Sequence, residues 1–389
     1  MMELPAKVDV LIVGAGPVGL TLAAALKRRG RSVLLIDQQA EGAHTSRAAV
    51  VHAGTLEALD ELGATAALLA SGVRARQFSA RDHKAVLLTI DFDAIPSRYP
   101  FALLCPQDRT EAILLDRLQA FGGDVVRPCT LSDLAADDDG VTATLERGGR
   151  THSVEAGWVV GCDGVRSTVR DKAHIAIEGG PYPENFVLAD VAVTGAFDPH
   201  EVVLYLAADG MLLFAPLPCD RVRIVATVAE APEHPSLATV QRLLDERTAL
   251  AVTIAETFWT GRFHIHHRVA ATMLQGRVVL CGDAAHEHSP AGGQGMNTGI
   301  QDAVALAGPL DEALAGGDLA ALQAWAEQRR RNAKRVVAMT DRMTRAATVT
   351  STPARVLRNA AMRLIGHLPP ARHAIAARLA EVDRHTREP

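Results

Sequence analysis

At 389 residues, and about 150 residues per domain, the chain has room for two domains or slightly more, which excludes a peptide, a disulfide miniprotein or a short binding module. Hydrophobic residues at 48% and charged residues at 22% exclude disorder and low complexity. Forty basic against forty-five acidic residues leave a net charge of -5 and no field to draw nucleic acid or an anionic membrane, so small-molecule partners are expected.

The first predicted elements are a buried strand at Val8 to Val13, a glycine turn, and an Ala/Leu-rich helix from Pro17 to Lys27 that stops at Gly30. Gly14, Gly16 and Gly19 spell GxGxxG in that turn, and a second strand, Ser32 to Ile36, ends in Asp37. Such glycines let the backbone turn tightly and approach a pyrophosphate. The helix N-terminus offers N–H groups to it, and the acid accepts from a ribose hydroxyl. A bare glycine-rich turn without ligand is the plain alternative. The longest uncharged run, Val10 to Leu26, has 17 residues and is broken by these glycines and Pro17, so no membrane span is expected.

A helix is predicted from His52 to Leu62, then strands at Val86 to Ile90 and Phe101 to Leu104, then a helix from Glu111 to Gln119 with Asp108 as its N-cap. Alternating segments at Val141 to Leu145 and Ser153 to Glu155 lead to Trp158-Val159-Val160 and to Asp163-Gly164. Between about 180 and 270 short β-rich runs separated by turn residues suggest an inserted sheet. The opening pattern then returns: Val278 to Leu280 ends in Gly282-Asp283, followed by a glycine-rich loop, Pro290 to Gly299, and a helix opening at Asp302. From Leu319 onward the pattern is nearly all helical. The expected division is a discontinuous nucleotide domain (1–179 and 271–345), a sheet domain (180–270, with strands near 75–105) and a helical tail (346–389).

With Gly14 to Gly19, Asp163-Gly164-Val165-Arg166-Ser167, Gly282-Asp283-Ala284-Ala285-His286 and Pro290 to Asn297, the chain resembles the single-component FAD-dependent aromatic hydroxylases of the para-hydroxybenzoate hydroxylase fold. The resemblance covers essentially the whole length. It implies an α/β fold: a Rossmann-like FAD-binding domain with an inserted β-sheet substrate domain and a C-terminal helical region. It also implies that Gly14, Gly16, Pro17 and Gly19 hold the FAD pyrophosphate and Asp37, with Gln38 beside it, the adenosine ribose. Arg47 and Gln107 match positions that contact the cofactor in relatives, with surface or cap residues as the alternative. Asp163 and Gly164 match a second motif associated with FAD and NAD(P)H, and Asp283 the acid at the ribityl chain. Pro290, Gly292, Gly293, Gly295, Met296 and Asn297 would lie against the isoalloxazine.

The implied activity is an NAD(P)H- and O2-dependent monooxygenase that hydroxylates a phenolic or polycyclic aromatic small molecule through a flavin C4a-hydroperoxide. Baeyer–Villiger oxidation, or inactivation of a tetracycline-type antibiotic, is the enzymatic alternative. A non-catalytic FAD-binding protein is the alternative from another class. His52, Tyr205 and Pro290 are the candidate catalytic residues, with structural roles for His52 and Tyr205 as the competing reading.

The remaining features carry simpler expectations. His264, His266, His267, His286 and His288 lack the carboxylate or cysteine spacing of a metal site, and no metal is expected. The run Arg329 to Arg335 reads as a solvated helix face. Five scattered cysteines without a CxxC pair suggest a reducing, cytoplasmic setting, and the N-terminus shows no secretory pattern. A monomer or homodimer is expected.

Overall fold

The computed structural model describes residues 4–42 and 48–382. Its first sheet is organised around the strand Lys7–Val13, whose β-branched run is buried on both faces as a central parallel strand requires. Lys7–Val13 pairs in parallel with Val33–Ile36 on one side and Arg150–Gly161 on the other. Beyond these lie Val125–Val126 and Val278–Leu280, again parallel. A strand from the last third of the chain therefore completes a sheet begun at residue 7. Two predicted segments, Ser153 to Glu155 and Trp158 to Val160, are parts of the single strand Arg150–Gly161. Helices Pro17–Arg28, Gln107–Ala120 and Gly295–Leu314 cover this sheet, and Leu11, Ile12, Leu22, Leu35 and Trp158 are fully buried between the layers.

The second sheet runs, in spatial order, His286–Glu287, Val252–Ala270, Ile177–Gly195, Arg221–Val228, Gly210–Leu217, Glu201–Ala207, Gln77–Asp82 and Ala85–Asp91. Its side chains alternate. Val187, Ala189, Tyr205, Phe214 and Ile224 point to the helix Leu237–Arg247. Phe186, Leu188, Leu206, Met211 and Val225 point the other way, into a cluster with Ala53, Ala347 and Leu379. Two of the strands near 75–105 thus lie in this sheet. Ala102–Leu104 lies instead in a small three-stranded sheet with Val50–Val51 and Val73–Ala75.

Two helix starts differ from expectation. The helix Gln107–Ala120 begins after Pro106 and leaves Asp108 inside its first turn, because the fixed, extended backbone of Pro106 sets the boundary. The helix Gly295–Leu314 begins seven residues before Asp302, since the positive φ angles of Gly292 (+83°) and Gly293 (+65°) turn the chain into it.

Helices Ala320–Ala347, Thr352–Gly366 and Pro369–Leu379 follow, the last two packed on Ala85–Asp91. The chain then returns to the first sheet's side, where the Gly54 amide donates to the Ala380 carbonyl at 2.9 Å. Among the described residues no helix is long and apolar enough to cross a membrane.

Candidate functional site

The turn after Lys7–Val13 separates the roles of its glycines. Gly14 has φ +100°, and a Cβ there would stand 2.3 Å from the Cys162 carbonyl oxygen on the neighbouring strand. At Gly19 a Cβ would stand 1.9 Å from the Gly14 carbonyl oxygen, so the helix can approach the turn only without a side chain. Around Gly16 nothing lies within 4 Å. Gly16 is also the N-cap of Pro17–Arg28, and no side chain satisfies its free amides. Two glycines are demanded by packing, and the third faces open space where an anion would meet the helix end.

Asp37 ends its strand beside this turn. Its carboxylate accepts from the amides of Ala15 and Gln39, both at 2.8 Å, while the Arg127 guanidinium lies 3.9 Å away and donates to the Ala15 carbonyl at 3.2 Å. Asp37 therefore holds the glycine turn from within, a function that the ribose reading alone did not suggest. Gln38 is exposed next to it. Arg47 lies outside the described residues. Gln107 starts its helix and bridges two elements: its Oε1 accepts from the Ala48 amide at 3.2 Å, and its Nε2 donates to Glu111 at 2.9 Å.

At the end of Arg150–Gly161, Asp163 accepts from the Val169 amide at 3.1 Å, and its buried Oδ1 has no hydrogen-bond partner among the described residues. Burial pushes its carboxyl up, against the lowering effect of nearby Ser167 and backbone amides. Gly164 follows with φ +76°. Asp283 is exposed in the short turn Gly282–Ala284, whose Gly282 is held to φ +64° against Val18.

The second glycine loop is clamped from three directions. Asn297, fully buried, donates to the carbonyls of Val50 (2.8 Å) and Gly293 (2.7 Å) and accepts from the His52 amide at 2.8 Å. His52 Nε2 meets the Gly292 carbonyl at 2.8 Å, which assigns the ring proton to Nε2. Burial holds His52 neutral by lowering its pKa to about 4, against the raising effect of Gly292. Gln294, 1% exposed, donates to the carbonyls of Gly292 and Leu379. Pro290 is exposed, while Gly295 and Met296 are half-buried at the helix start.

The candidates therefore fall into two groups joined by the sheet: the first turn with Asp37, Asp163 and Asp283, and the loop Pro290 to Asn297 with His52. Tyr205 belongs to neither. It packs with Val203, Leu212 and Phe214 under the helix Leu237–Arg247, on the sheet face opposite Phe186 and Leu188.

Several supporting residues were missed. Asp302, fully buried, is bound by His286 Nε2 at 2.6 Å and by the Arg329 guanidinium. Burial alone would push its carboxyl up, yet Arg329 and His286 hold it below the ordinary value. Arg329 is thus a largely buried ion-pair partner and Arg330, half-buried, donates to the Ala270 carbonyl at 3.0 Å, while Arg331, Lys334 and Arg335 are exposed, so the solvated-face reading fails at its first two residues. Glu381 accepts from Thr298 and Gln301 of the same helix and from Thr55, and burial raises its carboxyl to about 8. Only the run of positive charge hinted at Arg329, and no local pattern marks Glu381.

These residues fit a bound FAD. The first turn is a cradle that a Cβ would fill, Asp163 holds an unpartnered acceptor beside it, and the second loop brings glycine backbone against the apolar side chains Val50, Met343 and Leu379. A family model described as FAD binding domain matches residues 7–340. The 6-methylpretetramide 4-monooxygenase of Streptomyces rimosus is 38% identical over 314 residues, covering 79% of this chain and 56% of its own. The pentachlorophenol 4-monooxygenase of Sphingobium chlorophenolicum is 32% identical over 305 residues, covering 76% and 57% respectively. The chain thus spans somewhat over half the length of these relatives. The solved anhydrotetracycline hydroxylase of Streptomyces rimosus superposes with a TM-score of 0.82 at 31% identity, covering 97% of this chain and 76% of that one. On the family match and the shared architecture, the chain belongs to the FAD binding domain family and has the para-hydroxybenzoate hydroxylase-type fold of the FAD-dependent aromatic hydroxylases.

Proposed function

We propose that this chain carries the FAD and substrate sites of an NAD(P)H- and O2-dependent monooxygenase acting on a phenolic or polycyclic aromatic molecule. The carrying observation is that the glycine loop at 292–293 abuts the apolar cluster that the C-terminal helices share with the second sheet: Leu379 and Met343, from two of those helices, lie 3.3 and 3.4 Å from where a Gly292 Cβ would be. The polycyclic names of two similar proteins support that substrate class. In this reading residues 1–179 and 271–345 bind FAD, 180–270 with the strands of 75–105 bind substrate, and 346–389 form a helical tail.

FAD, when bound, supplies two-electron transfer from NAD(P)H to O2 and delivery of one oxygen atom to the ring, the other leaving as water. The residues do the rest. Gly14, Gly16, Pro17 and Gly19 receive the pyrophosphate at the helix N-terminus, Asp37 and Gln38 the ribose, and Asp163, Gly164 and Asp283 the remaining chain. Arg47 and Gln107 contribute cofactor contacts. Pro290, Gly292, Gly293, Gly295, Met296 and Asn297 offer backbone to the ring system, and donors aimed at developing negative charge need no reorganisation. His52, neutral at pH 7, positions the Gly292 carbonyl without adding charge. Phe186, Leu188, Leu206 and Val225 exclude water from the reacting face.

The test is direct. Purified protein is expected to carry FAD and to oxidise NAD(P)H faster with at least one member of a phenol and polycyclic-phenol panel, with one atom of labelled O2 entering the product. Ring-oxygen insertion in place of hydroxylation would redirect the reading to Baeyer–Villiger chemistry. Bound flavin without any stimulated oxidation would overturn it in favour of a binding protein.

A further inference from the structure

Tyr182 stands near the start of Ile177–Gly195, 8% exposed, in the cluster that also holds Phe186 and Leu188. Its ring meets His267 edge-on at 5.0 Å. Its hydroxyl is buried and makes no hydrogen bond of ordinary geometry with a described residue, although the Asp341 carboxylate is near enough to act on its proton, whereas buried tyrosine hydroxyls ordinarily find a full set of partners. His267 Nδ1 and Glu184 Oε2, close by, are likewise buried and unpartnered.

The charges around this hydroxyl come from two elements. From Ala320–Ala347 the Asp341 carboxylate faces it, paired with Arg345 at 2.9 Å, and Glu184 lies on its own strand. Burial, then Asp341, pushes the Tyr182 hydroxyl up to about 12, so the proton stays on. Asp341 attracts that proton, which leaves the oxygen lone pairs to be offered elsewhere.

The same cluster reaches the second glycine loop. Met343 and Leu379 close on Gly292, and Val50 would lie 3.1 Å from a Cβ at Gly293. One turn beyond Asp341 the Thr344 hydroxyl bonds Ser289, just before Pro290, at 2.5 Å.

We propose that Tyr182 is a specificity-determining residue that accepts a hydrogen bond from an O–H or N–H group on the aromatic substrate. The proposal rests on the hydroxylase reading and deepens it by naming the feature the site selects. The preference would favour hydroxylated rings over equally large rings without a donor, because a missing partner leaves the tyrosine oxygen buried and unpaired.

Three probes of nearly equal shape test this: 1-naphthol, 1-naphthylamine and 1-methylnaphthalene, titrated into the FAD-loaded protein and followed by calorimetry and flavin absorbance. Tyr182→Phe is expected to weaken the two donors about 10-fold and to leave 1-methylnaphthalene unchanged or tighter. Asp341→Asn should weaken the same two probes by a smaller factor. Equal loss for all three probes, no loss for the donors, or no binding of 1-naphthol to the unaltered protein would each overturn the proposal. So would a lowered melting temperature in Tyr182→Phe, since it would show that the hydroxyl serves the fold. Failure of the hydroxylase reading itself looks different: no flavin in the unaltered protein, or no aromatic-stimulated NAD(P)H oxidation.

Discussion

A single methyl group separates packing from ligand binding at the first turn. Gly16→Ala, with nothing within 4 Å of the new carbon, is expected to change stability by less than about 1 kcal/mol while weakening FAD retention at least about 10-fold, because the methyl stands in the anion's space. Gly14→Ala forces a Cβ to 2.3 Å from the Cys162 carbonyl at φ +100° and should cost about 2–3 kcal/mol as well as the flavin. Melting curves with and without added FAD, together with flavin absorbance of the purified variants, distinguish the two. Histidines make the second prediction at this scale. Burial lowers His52 and His288 to about 4, below the ordinary 6.5. Their contribution to stability is therefore complete above pH 6.5 and lost as pH falls through 4, by up to about 3 kcal/mol for each. Melting temperature should drop across that window, and less steeply in His52→Gln. The tight turn at Gly14 and Gly19 was legible because a turn's demands are local. The neutrality of His52 was not, since it comes from burial by the folded chain, which no local pattern records.

At the scale of elements, the buried Asp302 ties the helix Gly295–Leu314 to Ala320–Ala347 through Arg329 and to His286–Glu287 through His286. Asp302→Asn leaves Arg329 without its charge partner and should destabilise the protein by about 3 kcal/mol, seen as a lower denaturation midpoint in urea. An aspartate at that place in the sequence suggested a helix start, because Asp is a common N-cap. What placed the start earlier was the backbone of Gly292 and Gly293, and what allowed Asp302 inside was the His286 ring 16 residues before it and the Arg329 guanidinium 27 after. Hydrophobic periodicity records neither. Strands show the same limit: a β-rich run was expected there, but Tyr205 and Leu206 face opposite sides, and which side joins the cluster at the glycine loop is decided by the helix Leu237–Arg247 covering the other.

Across the whole molecule the C-terminal helices lead back to the front of the first sheet, where Glu381 docks against Thr55, Thr298 and Gln301. Its carboxyl is raised to about 8 from the ordinary 4.5, chiefly by burial. Stability that depends on keeping this proton is full below pH 4.5 and is lost as pH rises through 8. Glu381→Gln should therefore raise the melting temperature at pH 9 and leave it unchanged at pH 5. The discontinuous first sheet was legible, since the return of a β-run ending in Gly-Asp at 278–283 repeats the opening pattern. The docking of the tail was not: its contacts join residues 80, 83 and 326 positions apart, through a polar side chain with no motif around it.

The placement of Val278–Leu280 beside Arg150–Gly161, itself beside Lys7–Val13, also sets an order of events during synthesis. At roughly 5–20 residues per second, the first strand leaves the ribosome tens of seconds before its sheet can close. In that interval its neighbours present unpaired edges that invite association with other chains. The second glycine loop emerges later still, so on the proposed function, in which both turns hold the cofactor, FAD would stabilise the finished domain and not the nascent one. Cofactor supply in the expressing cell should accordingly govern how much completed chain stays folded, independently of any turnover, and leave losses during synthesis unchanged.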